Sequence, residues 1–250
     1  MTTVQQNIHA FVAFLMERSL TPWSPGDATG SHTLRSVSMK PLQRVALIGV
    51  AVAAYLVGFW PTWKVRDFVL DAFGNPPYQG VWILIPHLFL YGTLQALFCL
   101  VAWNVLARRQ WMPALRLSPR WPTIGWGFGI GLLSVAIVVI FFIATGQAGA
   151  FHSPRVDPWI ATANIFSNFY EEYVFRGFIL AALTAALGFW PAAILSSLAF
   201  GATHTQYPYS LQALIAVTAV IWCWVNRRGG GLLAPYTAHM TVDWLIDPIL

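Results

Sequence analysis

Between residues 42 and 246 the chain is a succession of long apolar runs, and nothing else in it constrains the fold as tightly. The first, residues 42–60, is about 19 residues long, close to the ~20 that an α-helix needs to cross a ~30 Å hydrocarbon core. Further runs cover 81–107, 126–145 and 158–187, a fifth ends near His204, and two more cover 211–225 and 232–246. Hydrophobic residues make up 57% of the 250 positions and charged residues 9%, with a mean hydropathy of +0.61, which excludes a soluble globular chain. The expectation is an all-α polytopic transmembrane bundle of about seven helices, since helices satisfy their own backbone hydrogen bonds in lipid.

Details of the runs sharpen this outline. The second is longer than one span, which implies tilt or a kink near Pro86. The third carries Gly127, Gly129 and Gly131 with no preceding strand, so the spacing reads as close helix packing in lipid and not as a nucleotide loop. The fourth is roughly 45 Å of helix at 1.5 Å per residue, enough to project beyond the core. Gly188 then supplies a helix stop and Pro191 a first-turn residue, predicting a tight antiparallel hairpin. Residues 1–41 read as an N-terminal cytoplasmic tail, with 7–20 either an interfacial amphipathic helix or a loosely ordered stretch. Residues 42–157 read as N-terminal transmembrane helices and 158–250 as a C-terminal core of four, all within one integral membrane domain.

The net charge of +5 comes from fourteen Lys and Arg against nine acids and reports topology, there being no nucleic-acid motif. With the N-terminus cytoplasmic, Lys40, Arg44, Arg108, Arg109, Arg227 and Arg228, together with Arg18, Arg35, Arg116 and Arg120, fall inside, against Lys64, Arg66 and Arg155 outside. That asymmetry predicts N-in and C-out, in a bacterial inner membrane. Cys99 and Cys223 lie inside apolar runs and imply no disulfide framework. The apolar stretch 8–15 is short and lacks a basic lead-in, so no cleavable signal peptide is expected.

Against this background a few ionisable residues stand out. An ionisable group near the bilayer centre costs at least about 2.5 to 3.5 kcal/mol, so each calls for a reason. Glu171, Glu172 and Arg176 lie in the fourth run, His204 closes the fifth, and His239 and Asp243 lie in the seventh; His87 reads as a helix-packing or interfacial histidine. Glu172 and Arg176 stand at i and i+4 with the acid on the N-terminal side, and Asn164 and Asn168 continue that row. Glu171 is rotated about 100° from Glu172 and can face another neighbour. Counted from the turn at Gly188, Glu171 and His204 each lie about 16 residues away, so both sit ~24 Å from it, at one depth. His239 and Asp243 share a face roughly 16 and 22 Å deep, in the same layer.

Glu171-Glu172-x-x-x-Arg176 resembles the first motif of the CPBP family, the CAAX-processing and bacteriocin-processing membrane proteases also known as the Abi family. Phe200-x-x-x-His204, preceded by Ser196-Ser197, resembles its second motif, and His239-x-x-x-Asp243 its third. The resemblance covers about residues 164–247, in the right order. It implies an intramembrane endopeptidase of the glutamate type, acting on a peptide or membrane-protein substrate without a cofactor or covalent intermediate. Glu171 is then the general base on a water, His204 orients that water, and His239 with Asp243 stabilises the oxyanion. Glu172 and Arg176 hold the helix and neutralise charge. Eukaryotic members end the third motif in Asn, which can donate, whereas an ionised Asp243 only accepts, so Asp243 either orients and charges His239, the expectation here, or is itself protonated.

Plainer and rival readings stand beside this one. Glu172 with Arg176 reads equally well as an ion pair locking helices together. Phe200 reads as packing, and the thirteen tryptophans mostly as interfacial anchors. The same Glu, His and Asp set has metal-ligand chemistry, making a zinc-type hydrolase the rival mechanism, although no His-Glu-x-x-His helix is present. A transporter or proton relay, or an immunity or scaffold protein, are the alternatives from other classes.

Overall fold

The computed structural model describes residues 39–59, 61–76, 79–85, 92–112 and 121–249. The expected tail helix at 7–20, the kink at Pro86, His87, and the basic residues Arg18, Arg35, Arg116 and Arg120 lie outside the described residues.

The described residues are helical throughout, with no strand among them. In chain order the helices are α1 (Pro41–Phe59), α2 (Pro61–Ala72), α3 (Val81–Ile85), α4 (Thr93–Arg108), α5 (Trp121–Ala144), α6 (Pro158–Glu172), α7 (Leu180–Leu187), α8 (Phe189–Thr203), α9 (Tyr209–Gly229) and α10 (Leu233–Ile246). A 3-10 turn, Ala148–Ala150, follows α5, and a π-helical turn, Tyr173–Ile179, joins α6 to α7. Three stretches, Pro41–Gly58, Trp121–Ala144 and Tyr209–Gly229, are long and apolar enough to cross a membrane, and Thr93–Arg108 and Phe189–Thr203 are shorter apolar helices. Large apolar side chains such as Val52, Leu56, Phe128, Ile140 and Val217 point outward, as they must where the solvent is lipid. The protein is a helical integral membrane bundle.

Local signals explain most boundaries. Asp157 caps α6, its carboxylate accepting from the backbone N–H groups of Trp159 at 2.7 Å and Ile160 at 3.3 Å, with Pro158 in the first turn where no N–H is needed. Gly188 has φ of +88°, closed to most L side chains, and it turns α7 sharply into α8. The expected hairpin is there, α8 beginning at once with Phe189 and carrying Pro191 in its first turn.

Three features depart from the sequence expectation. The segment holding Lys64, placed outside by the sequence, is not a plain loop but the 12-residue helix α2, too short to cross a ~30 Å core and exposing Lys64, Asp67 and Phe68. The run 81–107 is not one helix: among the described residues α3 covers Val81–Ile85, and Gly92, with φ of −119° and ψ of −16°, lies outside the helix that starts at Thr93. Gly92, just before α4, presses on Tyr170 of α6, where a Cβ would come within 2.6 Å of the Tyr170 side chain. The run 158–187 is unbroken but changes to π geometry immediately after Glu172. Two carbonyls of that π turn take side-chain donors from neighbouring helices, Phe175 O from Ser196 Oγ at 2.8 Å and Arg176 O from Asn226 Nδ2 at 2.8 Å.

The glycines of α5 separate by face. A Cβ on Gly127 would collide with the carbonyl oxygen of Ala234, and one on Gly131 would lie 2.5 Å from Thr241 Cβ and 2.8 Å from Ala238 O, so α5 and α10 touch backbone to backbone there. Gly129 has open space where its Cβ would be, so it takes no part in this packing. The contrast is testable by thermal unfolding in detergent. Gly131→Ala should cost about 1–3 kcal/mol by overpacking, while Gly129→Ala should stay within about 0.5 kcal/mol of the parent, as exposed substitutions do.

Candidate active site

Helices α6 and α10 run antiparallel and join through a polar ladder that advances four residues at each step. Asn164 Nδ2 donates to Asp247 Oδ2 at 2.8 Å, Asn168 Nδ2 donates to Asp243 Oδ2 at 2.8 Å, and Glu172 Oε1 accepts from His239 Nδ1 at 2.9 Å. Residues i and i+4 share one helix face, so two such rows facing each other need no further device to stay in register. Tyr236 and Trp244 of α10 fasten the same pair of helices, donating to the carbonyls of Ile165 and Ala161.

Glu172 is 1% exposed and its Oε1 is shared, lying 3.0 Å from Arg176 NH1 and 2.9 Å from His239 Nδ1. Arg176 is fully buried, its guanidinium 4.0 Å from the Phe200 ring centre and 5.0 Å from that of Trp222. An ion pair removed from water stands only when its partners are close and its remaining faces meet favourable groups, and the two aromatic faces supply these.

An ionised carboxylate has no proton to donate, so Nδ1 of His239 carries the hydrogen in this contact and Nε2 faces away from Glu172. Nε2 lies 3.8 Å from Glu171 Oε2 and 3.7 Å from Asp243 Oδ2. The ring is held between Trp222, at 4.7 Å between centroids, and the edge of Phe200, at 5.7 Å. Glu171 is the accessible acid of the pair, 38% exposed against 1% for Glu172.

His204 caps the C-terminus of α8. Its Nδ1 lies 2.9 Å from Phe200 O, a carbonyl that only accepts, so that nitrogen is the donor and Nε2 is left as an acceptor. Its ring stacks on Tyr207 at 6.2 Å and meets the edge of Phe200 at 4.7 Å. Glu171, His204, His239 and Asp243 all line one cavity of about 780 Å³, within the size range of small-ligand and peptide-accepting pockets. Its far wall comes from the N-terminal half of the chain, through Tyr55 of α1, Gln95 of α4 and Ser134, Val138 and Phe142 of α5.

All six residues singled out in the sequence therefore converge. Glu171, Glu172, His239 and Asp243 lie within direct contact of one another or of a shared partner, Arg176 enters through Glu172, and His204 borders the same space. Phe200 does pack, but between three of the charged or titratable groups. Sequence reasoning placed Asn164 and Asn168 on the Glu172 row without finding their acidic partners, and passed over Asp247; the four-residue spacing of His239, Asp243 and Asp247 was the available signal. It also missed Trp222, which sits inside α9, buried against His239. Among the described residues no three His, Cys, Asp or Glu side chains are grouped to hold a metal ion.

Residues 154–245 match the family model for "Type II CAAX prenyl endopeptidase Rce1-like". Over 174 residues the chain is 28% identical to an Escherichia coli protein described as an uncharacterized 24.3 kDa protein, the alignment covering 63% of this chain and 77% of that one. No solved structure matches.

The buried pair separates the two adjacent acids experimentally. Glu172→Ala leaves the Arg176 charge without its carboxylate in a buried site and should destabilise by about 3–5 kcal/mol, read as loss of folded protein on size-exclusion chromatography in detergent. Glu171→Gln, at the open cavity wall, should keep the parent elution profile and an unfolding free energy within about 0.5 kcal/mol of the parent.

Proposed function

From the match of residues 154–245 to the Rce1-like family model of CAAX prenyl endopeptidases, we propose that the protein is an intramembrane endopeptidase in which Glu171 activates water against a peptide carbonyl. The observation that carries this reading is the convergence of Glu171 and Asp243 on the free Nε2 of His239, within 3.8 Å, in the wall of a cavity large enough for a peptide segment. The substrate is a peptide or membrane protein and the surrounding solvent is the bilayer. Its place is a bacterial inner membrane, and the basic-residue asymmetry puts the N-terminus on the cytoplasmic side.

The chemistry follows from which atoms are free. Water bound between Glu171 and the Nε2 acceptor of His204 loses a proton to Glu171 as its oxygen attacks the carbonyl carbon. The carbonyl oxygen becomes an oxyanion and needs a donor where its charge develops. His239 supplies it from Nε2 when that nitrogen carries a proton, and it is the nitrogen that faces the cavity side, 3.8 Å from Glu171 Oε2 and 3.7 Å from Asp243 Oδ2. Asp243 thus serves by charging and orienting His239, since an ionised Asp cannot itself donate and its Oδ2 is already held by Asn168. Collapse of the tetrahedral species breaks the C–N bond, and the proton on Glu171 passes to the leaving amine. No covalent enzyme intermediate is formed.

The test uses purified full-length protein in lipid nanodiscs with a quenched fluorescent peptide library. Glu171→Gln should lower kcat by about 10²- to 10⁴-fold, the usual contribution of a general base, at unchanged protein level. Cleavage by this variant at the parent rate ends the reading. Cleavage abolished by a strong chelator and restored by zinc replaces it with a metal-dependent hydrolase.

A further inference from the structure

His239 is fixed at Nδ1 by Glu172, but one hydrogen bond leaves the ring free to rotate about that contact, and what limits it is the packing of Phe200 and, closer, the indole of Trp222. The two rings are 4.7 Å apart between centroids and inclined by 37°. Trp222 is 3% exposed and buries its polar edge, so its single N–H must find an acceptor. It donates from Nε1 to Ser134 Oγ at 3.0 Å, and that hydroxyl sends its own proton to Ile130 O at 2.9 Å. Each proton in this chain has one direction. Ser134 is 1% exposed and lies on the face of α5 that carries Gly127 and Gly131, so the close approach of α5 to α10 also brings its hydroxyl within reach of the indole.

We infer that Trp222, locked by Ser134, is a positioning residue that sets the ring plane of His239 and so the aim of its Nε2. The inference rests on the endopeptidase reading for its catalytic consequence and on geometry for the clamp itself. Ser134 lies outside residues 154–245, so the family-matched segment does not contain the whole support of its own histidine. Trp222 also covers the Arg176 guanidinium, which places one indole against both partners of the shared Glu172 oxygen. Loss of the Ser134 acceptor leaves a buried N–H unpaired, and the indole relieves it by turning, which tilts His239 away from Glu171.

The experiment compares Ser134→Ala, Trp222→Phe and the double variant, full-length in nanodiscs, by steady-state peptide cleavage. The imidazole nitrogen NMR signals of His239 and His204 are recorded on the same samples, assigned by their loss in His239→Gln and His204→Gln. Ser134→Ala should lower kcat about ten- to a hundredfold, the scale of a small misplacement of a reacting group, with KM within about twofold. The double variant should be no slower than Trp222→Phe alone, because the two residues act through one contact. The His239 signals should move in Ser134→Ala while those of His204 stay. Additive losses, a parent-like kcat, or unmoved His239 signals overturn the inference. Should Trp222→Phe fail to fold, Ser134→Ala, which removes one oxygen atom, decides by kcat and NMR alone. Moved His239 signals in a protein that cleaves no peptide would remove the protease reading and keep the clamp; unmoved signals with cleavage intact would do the reverse.

Discussion

One oxygen atom holds the site together. Glu172 Oε1 receives both Arg176 and His239 in a buried region, and this joins a permanent cation, an anion and a titratable ring in one unbroken line of contacts. Charges in such surroundings interact strongly but are costly when unmatched, so the arrangement is close to all-or-none. The aromatic rings of Phe200 and Trp222 complete it by covering the guanidinium. The neighbouring Glu171 is left outside this pairing, at the cavity wall, because adjacent residues on a helix point about 100° apart. Identical side chains one position apart thereby acquire different environments, and with them different capacities.

The polar ladder between α6 and α10 depends on that line and extends it. Asn168 and Asn164 hold Asp243 and Asp247 at the same four-residue interval, so the third motif is supported along its length by the helix that carries the first. On the opposite side α10 rests on the glycine face of α5, where backbone approaches backbone. In lipid there is no hydrophobic force to press helices together, and close packing with interhelical hydrogen bonds takes its place. The N-terminal helices are thus part of the site's construction: α5 supplies the packing surface and the Ser134 acceptor, and α1 and α4 contribute to the cavity wall.

Much of this was legible beforehand because helix periodicity is a short-range property. The i, i+4 relation of Glu172 to Arg176 and of His239 to Asp243, the Gly188 turn, and the equal depth of Glu171 and His204 about it all follow from a rise of about 1.5 Å per residue. The fourth run did continue from Pro158 to Leu187, though through a π turn whose carbonyls are held by Ser196 and Asn226 on other helices. A change of helix type that is stabilised from outside leaves no periodic trace. The interruption at Gly92 likewise answers to a distant partner, Tyr170 of α6, whereas the sequence signal for a kink in that run lay at Pro86.

From sequence alone came the solvent, the helical class, the three motifs and the layer in which they meet, since each depends on composition or on spacing within one helix. Tertiary structure decided which acid is buried and which is open, that Glu172 and not Asp243 holds Nδ1 of His239, and that a tryptophan counted among interfacial anchors lies against the histidine. Those outcomes turn on the rotation of each helix about its own axis relative to its neighbours. That rotation is set by side-chain fit across interfaces between residues 67 to 88 positions apart, as in Glu172 with His239 and Ser134 with Trp222, and no pattern within a single run encodes it.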